Sequence, residues 1–289
     1  MIVDVHTHIP THMDTIPNDD IKEDTQMRPG ERVRLSTNVD DYLAGMETVD
    51  TAFVFGIRRR PTDEDSPVFP WKGDVNDTAA KVVSRAPDKI IGFMSVHPDE
   101  ADVIEEIERC VDQLGLRGIK LGPNYQDFDP KSENAFKVYE RAQALGLPIV
   151  FHQGTSPYPQ SPLRYAHPLV MDEIAMAFPE LKVVMAHIAH PWHVDCIAVI
   201  RKHPHVYADV SGALIRPLQA YNAFRLAYEW GVLHKFLFAS DFPVTTPAET
   251  IEFLQNFNEF ARQYHMPEVP GDEIEAIIHR DSLSLLGLK

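Results

Sequence analysis

Asp4-Val5-His6-Thr7-His8 concentrates more chemistry in fewer residues than any other segment of this chain. His6 and His8 are two apart, so on a strand both rings point to one face. Two imidazoles on one face can bind one divalent metal. The pair alone is a weak pattern, because His-x-His arises by chance in many chains. Position strengthens it. His152 follows the apolar run 149–151, His187 the run 183–185 and Asp241 the run 236–239. Taken singly, each histidine is equally a satisfied, partly buried side chain, and Asp241 is equally a helix cap. As a set at strand ends they must converge on something that compensates the cost of burying polar groups.

Neutral imidazoles and a carboxylate suit zinc, and the hard carboxylate also admits manganese. A catalytic metal keeps one position open for water or substrate and lowers the pKa of a bound water to about 7. Asp241 can accept that water's proton and pass it to a leaving group. His187 can donate a hydrogen bond to a carbonyl oxygen as charge develops there. That scheme is hydrolysis of an amide, a lactone or a related carbonyl compound. The same parts also allow non-oxidative decarboxylation, with Asp241 or His187 protonating the carbon that loses carbon dioxide. A third reading is a non-catalytic metal-binding protein. It sits poorly with a ligand set that leaves a coordination position open.

Cations near the same strand ends point to a small anionic substrate. Arg58, Arg59 and Arg60 follow the second apolar run, and Arg216 follows the seventh. Arginine reads carboxylates bidentately, and Lys120, near the end of the fourth run, offers an ammonium donor. Arg58 and Arg216 are the better candidates, since Arg59 and Arg60 read equally well as solvated surface. Tyr125, Phe128, Tyr158 and Trp192 fall in strand-end loops, where they could stack on a ring.

The elements that must position these groups are short β-branched runs at 2–5, 52–57, 90–96, 118–121, 149–151, 183–185, 206–210 and 236–239. They are nearly continuously apolar, as parallel strands covered on both sides should be. Helical periodicity fills the gaps at 39–46, 75–85, 101–114, 132–145, 168–178, 192–202, 217–230 and 247–264. Asn38 is a capping candidate for the first, and Gly146 ends the fourth. Strand and helix alternate eight times, which predicts an α/β protein with one (β/α)8 (TIM) barrel domain over 1–289. A doubly wound open sheet is disfavoured, because no glycine-rich turn follows the first strand. The connections 9–37 and 58–73 are long enough to act as lids or substrate walls, and equally to be surface decoration. Residues 272–286 predict one or two extra helices.

Composition bounds the partners. The 289 residues carry a formal charge of −16 and are 44% hydrophobic, enough for a sizeable core. An acidic surface repels nucleic acid and anionic membranes. The two cysteines, Cys110 and Cys196, do not make a disulfide framework. No basic region followed by an apolar run marks the N-terminus, and no apolar stretch is long enough to span a bilayer. The expectation is a cytoplasmic protein.

In this order, DVHTH at 4–8, GIKLGP at 118–123, FHQGT at 151–155, MAHIAHPW at 185–192 and SDFP at 240–243 resemble the amidohydrolase-related branch of the amidohydrolase superfamily. That branch includes aminocarboxymuconate-semialdehyde decarboxylases and related aromatic-acid decarboxylases. The resemblance covers essentially the whole chain, and is specific for the superfamily rather than for a reaction. It implies His6, His8 and His152 as ligands of one divalent metal. It implies Asp241 as a ligand or proton carrier, and His187 as a group close to substrate. His190, one short step beyond, would assist it or orient the following loop. At the position of Lys120 some superfamily members carry a carboxylated lysine that bridges two metals. A homodimer is common among such proteins.

Overall fold

A computed structural model of the chain describes residues 1–59, 71 and 73–289. Arg60 and most of the connection 58–73 therefore lie outside the described residues. Eight parallel strands run β1 Val3–His8, β2 Thr51–Phe55, β3 Ile90–Gly92, β4 Ile119–Leu121, β5 Ile149–Phe151, β6 Val183–Met185, β7 Val206–Asp209 and β8 Phe236–Leu237. Each pairs with the next along the chain within the sets β1–β3 and β4–β8. The bridge from Met94 to Ile119 joins the two sets, and the bridge from Thr7 to Phe242 closes β8 onto β1. The result is a (β/α)8 barrel, in which each of the eight strands has a neighbour on both sides.

Alternation along the strands separates two apolar layers. Val150, Val184, Tyr207 and Leu237 fill the barrel interior with Phe53 and Phe93. Their neighbours Ile149, Phe151, Val183, Met185, Val206 and Ala208 face the helices. Ile119 and Leu121 also belong to the outer layer, so Lys120 between them is an inward position. The same period carries His152 and Asp209 inward, each two residues past an interior side chain. The barrel scaffold thus sets which strand-end groups meet.

The helices follow the predicted spans closely, with local reasons for their ends. Asn38 caps Val39–Gly45 through a hydrogen bond from Asp41 N at 2.8 Å. Gly146 ends Glu133–Leu145 at a φ of 69°. The segment predicted as one helix over 247–264 is two, Pro247–Gln255 and Phe257–Gln263, hinged at Asn256. The hinge turns Phe257 into the core, where its ring stacks on Phe224 at 4.5 Å.

Two helices, Gly271–Ile278 and Ser282–Leu286, close the chain. Leu286 and Leu288 join Val3 and Val5 in the barrel interior. Arg117, which precedes β4, donates to Leu288 O at 2.7 Å. The C-terminus therefore seals the end of the barrel opposite the histidines. The connection 9–37 carries a short antiparallel pair, Glu23–Asp24 with Val33–Arg34, and lies over the open end. Among the described residues no helix is long and apolar enough to cross a membrane.

Candidate metal centre

β1 does not simply present every second residue. Its pairing with β2 shifts by one between Asp4 and Thr7. This bulge lets Val5 stay in the interior layer while His6 and His8 both reach the cavity at the barrel mouth. Asp4 holds the bulge. Its Oδ1 accepts from His6 N and from Ser240 N, both at 3.1 Å. One buried oxygen thereby ties β1 to the segment that carries Asp241. Burial pushes the Asp4 carboxyl up to about 7.

His6, His8 and Asp241 form one group, and His6, His187 and Asp209 another, with the ligand atoms in each within 4.8 Å of one another. Asp241 Oδ1 lies 3.0 Å from His8 Nε2 and 3.4 Å from His6 Nε2. Burial would raise Asp241, but the hydrogen bond from His8 and the neighbouring imidazoles outweigh it and hold the carboxyl at about 2. Burial, reinforced by the Lys120 charge, pushes His6 well below its usual range. Burial and the His187 ring do the same for His152. These rings are therefore neutral, the form that ligates metals.

His152 stands apart from both groups, its ring 5.0 Å from that of His187. Its Nε2 is buried and has no hydrogen-bond partner among the described residues, and the same is true of His8 Nδ1. A buried imidazole nitrogen left without a partner is costly unless something else occupies it. With a carboxylate and neutral imidazoles around one cavity, the donor set fits a divalent metal.

Backbone geometry aims these groups. Asp241 sits at a φ of 66°, and His187, Ile188 and Ala189 at 59°, 47° and 48°. Such left-handed residues cost on the order of 1–2 kcal/mol each, so their clustering at the mouth is held by the surrounding fold. Asp241 N donates to His6 O at 2.9 Å, and Thr155 N donates to His190 O at 2.7 Å. Gly154, at a φ of 106°, is required beneath that turn, because a Cβ there would lie 2.4 Å from His190 O. Among the described residues Asp241 caps no helix. Thr246 caps Pro247–Gln255, with Glu249 completing the capping box.

The cavity has a volume of about 310 Å3. Lys120, His190 and Arg216 line it, as do Tyr125 and Tyr158. Lys120 Nζ lies 3.3 Å from His6 Nε2 and 4.7 Å over the Phe55 ring. Burial brings Lys120 down to about 8. Arg216 is also lowered by burial alone. Among the described residues it has no acidic partner. Met27 and Leu35 of the connection 9–37 form part of the wall, as a substrate-covering loop would.

Three residues expected at the substrate are elsewhere. Arg58 Nε donates to Glu100 at 2.7 Å and its Nη1 to Asp74 at 2.9 Å. It belongs to an ion network outside the cavity wall, because Glu100, in the turn before Val103–Asp112, and Asp74, at the N-cap of Val75–Arg85, pair with it. Trp192 packs on His167, ring centroids 5.0 Å apart, and is not part of the cavity wall; His193 lines it instead. Phe128 is in the core against His97. The sequence reading missed Asp209, Ser211 and Trp71. Asp209 could have been found, since it sits two residues past inward Tyr207 just as His152 sits two past Val150. Trp71 carried no such signal. Its ring lies 5.6 Å from His8, and its Nε1 donates to Ile9 O at 3.0 Å.

The amidohydrolase family model matches residues 3–288. The chain belongs to the amidohydrolase family. Within this metal-dependent superfamily of enzymes the relatives differ in reaction. A 2-amino-3-carboxymuconate-6-semialdehyde decarboxylase of Dictyostelium discoideum is 33% identical over 79 residues, 27% of this chain and 22% of that one. A 2-keto-4-carboxy-3-hexenedioate hydratase of Sphingobium sp. is 29% identical over 151 residues, 45% of this chain and 44% of that one. The matched stretches thus span less than half the length of these curated relatives. Solved structures agree in fold over the whole chain. An uncharacterised TIM-barrel protein of Bordetella bronchiseptica has a TM-score of 0.71 at 19% identity, covering 99% of this chain and 98% of that one. A probable 2-pyrone-4,6-dicarboxylic acid hydrolase of Acinetobacter baumannii, with citric acid bound, scores 0.64 at 16% identity, covering 99% of each chain. A dihydroxybenzoic acid decarboxylase of Polaromonas sp., with manganese and the inhibitor 2-nitroresorcinol bound, scores 0.66 at 16% identity, covering 99% of this chain and 97% of that one.

Proposed function

We propose that this amidohydrolase is a metal-dependent hydrolase of a small, carboxylate-bearing carbonyl compound. The observation that carries the reading is the Asp241 carboxylate 3.0 Å from His8 Nε2 and 3.4 Å from His6 Nε2, in a cavity that also contains Lys120 and Arg216. His6, His8, His152 and Asp241 would hold one divalent ion, zinc or manganese. Bound there, the ion supplies Lewis-acid polarisation of a carbonyl and acidification of a water.

The remaining steps belong to the chain. Asp241, ionised across the neutral range, accepts the proton of the attacking water and delivers it to the leaving atom. The Lys120 ammonium neutralises a substrate carboxylate deep in the cavity, and Arg216 takes a second anionic group or oxygen near the mouth. His190 borders Arg216, and Tyr125 and Tyr158 offer faces for a planar substrate. The connection 9–37 limits water entry.

Decarboxylation of an unsaturated or aromatic acid is the second reading, favoured by the name of the Dictyostelium relative and by that of the Polaromonas structure. Product analysis separates the two. Ring or amide opening without gas is the hydrolase outcome, and carbon dioxide release from candidate acids overturns it in favour of the carboxy-lyase. Metal analysis of gently purified protein should find about one divalent ion per chain, and Asp241→Asn should lower kcat by about 10²- to 10⁴-fold. Stoichiometric absence of metal would sink both readings.

A further inference from the structure

Asp209, the last residue of β7, is completely buried and has no part in the function proposed above. Its Oδ2 lies 2.8 Å from His6 Nδ1. Its Oδ1 accepts from His187 N at 2.9 Å, from Ser211 N at 3.1 Å and from Ser211 Oγ. Ser211 Oγ is in turn 2.8 Å from His187 Nδ1.

Counting protons decides which way these bonds run. A carboxylate only accepts, so His6 Nδ1 must carry the proton that faces Asp209. Ser211 has one hydroxyl proton and two partners. The charge-assisted bond to the carboxylate takes it, which leaves Oγ with only a lone pair toward His187. His187 Nδ1 must therefore be a donor as well. A neutral imidazole carries a single N–H, so a ring that donates from Nδ1 keeps a lone pair on Nε2. Both Nε2 atoms are then bare. An independent contact agrees: the Lys120 ammonium, a pure donor, sits 3.3 Å from His6 Nε2.

We propose that Asp209, directly and through Ser211, is a positioning residue that locks His6 and His187 as Nδ1–H tautomers, so that both Nε2 lone pairs are presented at the cavity. His187 then enters the chemistry as an acceptor of a proton or a metal bond. It does not arrive as the ready hydrogen-bond donor that its place in the sequence suggested. The tautomers follow from the hydrogen bonds of Asp209 and Ser211, and only the consequence for metal affinity rests on the metal-centre reading.

Long-range proton–nitrogen correlation spectra of the metal-free, nitrogen-15-labelled full chain at neutral pH test it. The wild-type protein should show His6 and His187 as Nδ1–H tautomers. Ser211→Ala should release His187 to a mixture and leave His6 unchanged. Asp209→Asn should disturb both, because an amide can donate where the carboxylate could not. Zinc affinity, measured by competition with a chelator, should fall about 10- to 100-fold in Asp209→Asn. Either ring found as Nε2–H in the wild type overturns the proposal, and so does a Ser211→Ala protein whose His187 is unaltered. The serine variant keeps the test decisive even where the aspartate variant does not fold. Correct tautomers in a protein that binds no zinc would refute the metal centre while leaving the Asp209 role intact.

Discussion

At the residue scale, two arginines that look alike in sequence separate completely in the structure. Arg58 is ion-paired with Glu100 and Asp74, while Arg216 lines the cavity with no acidic partner among the described residues. A half-buried guanidinium pays a desolvation cost that its own fold does not offset, which is sensible where an anionic ligand completes the pair. Arg216→Ala should therefore raise KM about ten- to a hundred-fold, the range for losing a hydrogen bond to a charged group, with little change in Tm. Arg58→Ala should do the reverse, lowering stability by about 1–3 kcal/mol with KM nearly constant. Steady-state kinetics and thermal melts of both variants check the assignment. Equal KM effects would show that Arg58 reaches the substrate after all.

At the scale of elements, the helices Val75–Arg85 and Val103–Asp112 are held together by charge as well as by packing. Glu106 accepts from Arg109 at 2.7 Å and from Asn76 at 2.7 Å, and Arg109 also pairs with Asp77 at 2.9 Å. Burial would raise Glu106, but the hydrogen bonds from Arg109 and Asn76 outweigh it and bring the carboxyl to about 2. A carboxyl lowered on folding stabilises the native state above its unfolded pKa, and that contribution fades as pH falls from about 4.5 toward 2. Denaturant melts across this window should show acid-dependent loss of stability in the wild type. Glu106→Gln should be less stable by about 1–2 kcal/mol near neutrality and flatter against pH. A parallel pH profile in wild type and variant would remove Glu106 from the acid response. The barrel mouth lies on other elements, so activity at neutral pH should survive the substitution.

At the scale of the whole molecule, stability and chemistry occupy opposite ends of one barrel. The C-terminal Leu286 and Leu288 fill the closed end against Val3 and Val5, and the imidazoles and carboxylates sit at the open end. Leu286 is completely buried. Leu286→Ala should cost about 2–4 kcal/mol through the lost contacts and the cavity left behind, seen as a lower Tm. The kcat of the folded fraction should be nearly unchanged. A large fall in kcat at temperatures where the variant is fully folded would show that the two ends are coupled.

Much of this was legible without the fold. Eight apolar runs separated by helical segments call for a parallel sheet covered on both sides, and the lack of a glycine-rich turn after the first run favours the closed barrel over the open sheet. His6, His8, His152 and Asp241 stand out because polar groups after such runs are too costly to be incidental. Period-two alternation would even have turned Lys120 and Asp209 inward. Tertiary structure alone decided the rest. The bulge in β1 depends on pairing with β2 and on Asp4 reaching Ser240, contacts between residues far apart in sequence. Whether an arginine meets substrate or a neighbouring helix depends on which acids arrive beside it, and Arg58 found Glu100 first. The tautomers of His6 and His187 follow from a single carboxylate on a third strand. Local sequence encodes which face a side chain takes; only the closed barrel determines which partner waits there.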